Sequence, residues 1–133
     1  MRRSYESSIK HPPDFKVKYR FYSREEGGRT KAPTQGYKSD FWYEHQDHLK
    51  KQLFMIWPEF EDDQGQIISH SDIPVPITGI ANMWIANPSW RNYHKEKIRI
   101  GLKCYLMEGP RKVAECEVIE ILGLITNPTV HQV

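Results

Sequence analysis

Apolar and polar residues alternate most cleanly in two separated stretches of the chain. Phe15, Val17, Tyr19 and Phe21 interleave with Lys16, Lys18, Arg20 and Tyr22. That period of two predicts a strand with one face buried and one in water. Further on, Ile98, Ile100, Leu102, Cys104 and Leu106 interleave with Lys97, Arg99, Gly101, Lys103, Tyr105 and Met107. After the turn residues Glu108-Gly109-Pro110-Arg111, Ala114, Cys116 and Val118 interleave with Glu115 and Glu117 before Ile119, Ile121 and Leu122. This pair of runs predicts a long β-hairpin. The middle is less regular. Gly27-Gly28, Pro33 and Gly36 mark turns, and Tyr37 and Phe41-Trp42-Tyr43 resume strand composition. Leu53 to Trp57 is short and wholly apolar, as expected of a strand buried on both sides and ended by Pro58. Ile67-Ile68 and Ile73 to Ile77 are extended pieces whose Pro74 and Pro76 suit a sheet edge or coil. Gly79 precedes a further apolar run, Ile80 to Ala86. Glu44 to Gln52 shows only a weak helical pattern.

No strong helical period occurs, so the pattern predicts an all-β domain, a barrel or sandwich. Residues 1–14 read as a flexible N-terminal arm, 15–125 as the β-barrel domain and 126–133 as a C-terminal tail. With 133 residues, one core can form without metal or disulfide staples. The 19 basic and 17 acidic residues leave a formal charge of +2, too mild a balance to imply nucleic acid unless the cations share one face. No secretory signal and no membrane-length apolar run is visible, so a soluble, cytoplasmic protein is expected. Cys104 and Cys116 flank the hairpin turn and can lie near each other, although free buried thiols fit a reducing compartment better.

Two segments together bring a known family into view. Phe15 to Thr30, with Arg24-Glu25-Glu26-Gly27-Gly28-Arg29, then Gly36-Tyr37 and Phe41-Trp42-Tyr43, resembles the opening of the third, C-terminal barrel of elongation factor Tu. Ile98 to Ala114, continuing to Leu122, is similar to that domain's closing hairpin, and Met83 to Pro88 sits where the family has an apolar strand. The resemblance implies a single closed or partly open antiparallel Greek-key β-barrel with inserted loops. It also implies contacts with a GTPase domain, with the T-stem of tRNA or with an exchange factor. Lys38-Ser39-Asp40, Pro110 and the long stretch from Glu44 to Ile77 depart from the family pattern. The chain lacks a Gly-x-x-x-x-Gly-Lys-Ser/Thr loop, so no nucleotide is expected to bind.

The resemblance and the residues together favour a non-catalytic binding module, without cofactor, whose partner is a protein or a structured RNA such as tRNA. A sequence-independent RNA binder is one alternative, and a small enzyme or metal protein another. Arg24 and Arg29 flank the double glycine and suit a phosphate or carboxylate, or else pair with Glu25 and Glu26. Arg111 and Lys112 bring positive charge to the hairpin tip, among Glu108, Glu115 and Glu117. Trp90 with Arg91, beside Tyr93, is either an exposed partner anchor or a cover over an open barrel end. Trp57 and Trp84 are expected in the core. His45, His48, His70 and His94 do not have the spacing of a familiar zinc site, and Glu59 to Gly65 lacks the ligand pattern of an EF-hand. Ser69-His70-Ser71-Asp72 reads as turn chemistry, because a catalytic triad is assembled from distant segments.

Overall fold

The computed structural model describes residues 5–44 and 53–128. After a one-turn helix, α1 (Tyr5–Ile9), come strands β1 (Phe15–Phe21), β2 (Asp40–Tyr43), β3 (Ile56–Phe60) and β4 (Thr78–Ile85). A 3-10 turn (Pro88–Trp90) and helix α2 (Arg91–Lys97) lead to β5 (Lys103–Glu108) and β6 (Arg111–Ile121). All strand pairs are antiparallel, in a six-stranded sheet ordered β2-β5-β6-β1-β4-β3.

The sheet curls around a face that carries most of the buried apolar side chains. Phe15, Val17, Tyr19 and Phe21 of β1 are buried, as are Phe41 and Tyr43, Ile56 and Phe60, Met83 and Ile85, and Cys104 and Leu106 from the other strands. Each buried aliphatic or aromatic side chain stabilises the fold by about 1.5–3 kcal/mol relative to exposure. Two strands separate β1 from β2 in the sheet, yet the rings of Phe15 and Phe41 lie 5.9 Å apart. The interior is therefore spanned by aromatic contacts. At one point the two sheet edges meet: Phe41 and Phe54 exchange backbone hydrogen bonds of 3.0 and 2.9 Å.

Pro58 does not end its strand. It pairs with Met83 inside β3, and β3 is an edge strand, where a residue without an N–H is tolerated. The free edge is partly satisfied by the buried Gln35, whose amide donates to Phe60 O and Ile68 O at 2.9 Å each and accepts from Phe60 N at 2.8 Å. The expected strand over Ile98–Leu102 is instead a turn. Leu102 N bonds Arg99 O at 3.1 Å, Gly101 has φ +92°, and Ile100 is exposed. Helix α2 had no apolar period to announce it, because its buried face consists of Arg91 and His94.

The segment read as an N-terminal arm packs on the outside of the sheet. Tyr5 lies 5.9 Å from Trp57 and 6.3 Å from Trp84, and the His11 ring lies 5.7 Å from Trp84. Trp84 is buried beneath this cover, on the sheet face opposite Met83 and Ile85, while Trp57 remains half-buried. Beyond β6, Leu124 is buried, and the buried Asn127 reaches back to Pro12 O at 2.9 Å.

Arm, strand, helix and the segment after β6 meet at Asp14, which is fully buried. Its carboxylate accepts hydrogen bonds from both terminal nitrogens of Arg91, from Ile85 N at 2.8 Å and from Asn127 Nδ2 at 2.8 Å. Its backbone N donates to Met83 O, and its carbonyl accepts from Leu122 N and Leu124 N. Removing one partner of a buried ion pair strands the other charge, at a cost of roughly 3–5 kcal/mol. Arg91→Met is expected to lower stability by about that amount in urea denaturation. Adding Asp14→Asn to Arg91→Met should cost less than the two single changes summed; strict additivity would show that the pair is not coupled.

Candidate functional site

The turn after β1 is dictated by its glycines. Gly27 has φ +93°, in the left-handed region, and a Cβ on Gly28 would sit 2.3 Å from Tyr22 O. Gly27 N to Arg24 O and Gly28 N to Ser23 O, at 3.0 and 2.9 Å, close the turn. Arg20 then forks onto Glu26 through two 3.0 Å hydrogen bonds and reaches Glu115 through Nε at 2.9 Å. The Arg20 guanidinium, helped by the Ser23 backbone N–H, holds the Glu26 carboxyl down at about 2. The Glu of the Glu-Glu-Gly-Gly motif thus pairs with Arg20, outside the motif, and Arg24 stays exposed.

Arg29 continues from this loop to Glu108 at the foot of the hairpin tip. Glu108 accepts hydrogen bonds from Arg29, from the Tyr37 hydroxyl and from Arg111, the last at 2.7 Å. Burial alone would raise the Glu108 carboxyl, but these three donors outweigh it and hold it below the usual carboxylate range. The Arg29 guanidinium also lies 5.1 Å from the centre of the Tyr37 ring. Next to Arg111, the Lys112 ammonium sits 3.9 Å from the centre of the Tyr105 ring and 5.3 Å from that of Trp42. Arg24, Arg29, Arg111 and Lys112 therefore belong to two loops tied together through Glu108. A recess of about 570 Å³ opens beside Arg24 and Arg29, lined also by Glu25, Lys31 and Ile77 among others.

The outer face of β1, β6 and β5 is a charge checkerboard. Lys18 pairs in register with Glu117, and Glu117 with Lys103; Arg20 pairs with Glu115, and Glu115 with Tyr105. Lys103 Nζ lies 2.7 Å from Glu117 and Arg20 Nε 2.9 Å from Glu115. The cations of this face are thus interleaved with carboxylates and do not form a continuous positive run.

The other two sequence candidates lie elsewhere. Trp90 folds onto Phe54 and Tyr93, with ring centres 5.8 and 6.0 Å away, next to the point where the sheet edges meet. Arg91 is 1% exposed and faces Asp14, so its charge is spent inside the protein. His94, one helical turn on, is equally buried and lies 2.8 Å from the Tyr43 hydroxyl through Nδ1. Sequence reading singled out neither Asp14 nor Tyr43, since a lone Asp before a strand and a Tyr within an aromatic run carry no signal of their own. Among the described residues no group of three His, Cys, Asp or Glu side chains converges as metal ligands would. His45 and His48 lie outside the described residues. His70 and Asp72 form an exposed pair at 3.8 Å. No model of a known protein family matches the chain, and no curated protein matches it.

His94 gives the buried region around Arg91 and Tyr43 a pH signature. Burial, with Arg91 adding to it, pushes the ring down to about 4 from the ordinary 6.5. Below pH 6.5 the unfolded chain takes up a proton that the folded protein refuses, so stability falls with falling pH until about pH 4. The loss by pH 5 is roughly 2 kcal/mol, above the range in which carboxylates titrate. Urea midpoints measured from pH 7 to pH 5 should show this slope, and His94→Gln should flatten it. An unchanged slope in the variant would assign the effect to other groups.

Proposed function

We propose that this chain is a non-catalytic binding barrel that docks a protein partner, a translation component above all, through the end formed by the Arg24–Arg29 loop and the Arg111–Lys112 tip. The observation that carries this reading is the convergence on Glu108. Arg29, Tyr37 and Arg111, far apart in sequence, are held together by Glu108 in one cationic rim, and Arg24, Arg111 and Lys112 remain exposed there. Preorganised side chains bind with little further loss of conformational freedom, which makes such a rim a better contact surface than flexible loops. The resemblance of both loops to those of the third barrel of elongation factor Tu supports a translation partner, tRNA included. Binding of RNA along the β1-β6-β5 face has weaker support, since Lys103 and Arg20 are already engaged by Glu117 and Glu115.

Immobilised protein incubated with a native lysate is expected to retain a translation component, and tRNA is expected to shift at low salt if it is the ligand. Arg111→Glu with Lys112→Glu should weaken that binding about tenfold. Lys95→Glu, on α2, should leave it unchanged. Recovery of no translation component, together with no tRNA shift, would overturn the proposal.

A further inference from the structure

Cys104 of β5 and Cys116 of β6 stand directly opposite each other in the strand register, and both are free thiols. Both side chains point into the core, with Cys104 fully buried and Cys116 4% exposed. Directly opposed residues of an antiparallel pair have Cα atoms about 4.5–5.5 Å apart, inside the span of about 4.4–6.8 Å that a disulfide bridges. Neither thiol has a role in the cationic rim.

We propose that Cys104 and Cys116 close into a cross-strand disulfide under an oxidising thiol–disulfide poise, locking the hairpin whose tip carries Arg111 and Lys112. A small disulfide such as oxidised glutathione is the oxidant. Cys116 is 4% exposed and Cys104 not at all, so Cys116 is the thiol reached first when the hairpin opens locally. Its thiolate attacks one glutathione sulfur; a bond forms there, the glutathione S–S bond breaks, and one glutathione thiolate leaves. Cys104 then gives up its proton and attacks Cys116 Sγ, expelling the second glutathione thiolate. Two protein thiols are oxidised, one glutathione disulfide is reduced to two glutathiones, and the two protons end on them. The neighbouring Cys116 thiol, and then burial, push the Cys104 thiol well above its usual range. Closure in the folded protein is therefore slow, and the equilibrium rather than the rate carries the test.

The protein is equilibrated in glutathione redox buffers from both the reduced and the oxidised side, in native buffer and in concentrated urea. Species are quenched by alkylation and read by intact mass. The folded strand register should raise the equilibrium constant for the internal disulfide at least about tenfold over that of the unfolded chain. The oxidised protein should carry no alkyl groups and weigh two hydrogens less. Its melting midpoint should rise by on the order of 10 °C, and dithiothreitol should reverse the rise. An equal or smaller constant in native buffer overturns the proposal, as does a stable mixed disulfide with glutathione or a disulfide-linked dimer as the main product.

Discussion

A carboxylate with no exposure to water has to be answered by other groups, and the side chain of Asp14 is answered by Arg91, Asn127 and the backbone of Ile85. An uncompensated buried charge costs several kcal/mol, so the helix carrying Arg91 cannot leave its place without exposing or stranding that charge. The same residue bonds through its backbone to Met83, Leu122 and Leu124. The entry to β1, the end of β4, helix α2 and the chain beyond β6 are thus fixed relative to one another through one side chain and its own peptide groups. His94 follows from this arrangement. It is pressed into the same interior beside a guanidinium and is held neutral, with the Tyr43 hydroxyl at hydrogen-bonding distance.

Where the fold rests on alternating apolar side chains, the sequence announces it. β1 falls on the residues whose pattern predicts it, and β5 and β6 form the expected hairpin, because one buried face per strand leaves a period of two. Where the fold rests on polar interactions, it was silent. Helix α2 buries Arg91 and His94, neither of them an apolar residue, so no hydrophobic period marks it. The arm covers Trp84 through Tyr5 and His11. Pro58 misled for a related reason: a proline ends a central strand but fits an edge strand, and edge status is a property of the whole sheet.

The candidate surface was legible in part. Arg24, Arg29, Arg111 and Lys112 stand out as cations beside glycine turns, and the fold brings their loops together. What holds them is Glu108 with Tyr37, whose acidity and aromaticity read in sequence only as dilution of charge and strand composition. Trp90 and Arg91, adjacent in sequence, separate into a half-buried ring on Phe54 and a buried ion. The two ends of the molecule therefore divide the work: polar burial around Asp14 sets the architecture, and the Glu108 cluster presents charge to solvent.

Native-state hydrogen exchange tests the central role of Asp14 most directly. The amides of Ile85, Leu122 and Leu124 donate to Asp14 atoms, at 2.8, 3.0 and 3.1 Å, so they report on it individually. If Asp14 ties the molecule together, all three exchange only through global opening, with the same free energy and denaturant dependence as the amides of β1. Exchange of Leu122 and Leu124 through local fraying, while β1 stays protected, would contradict the account.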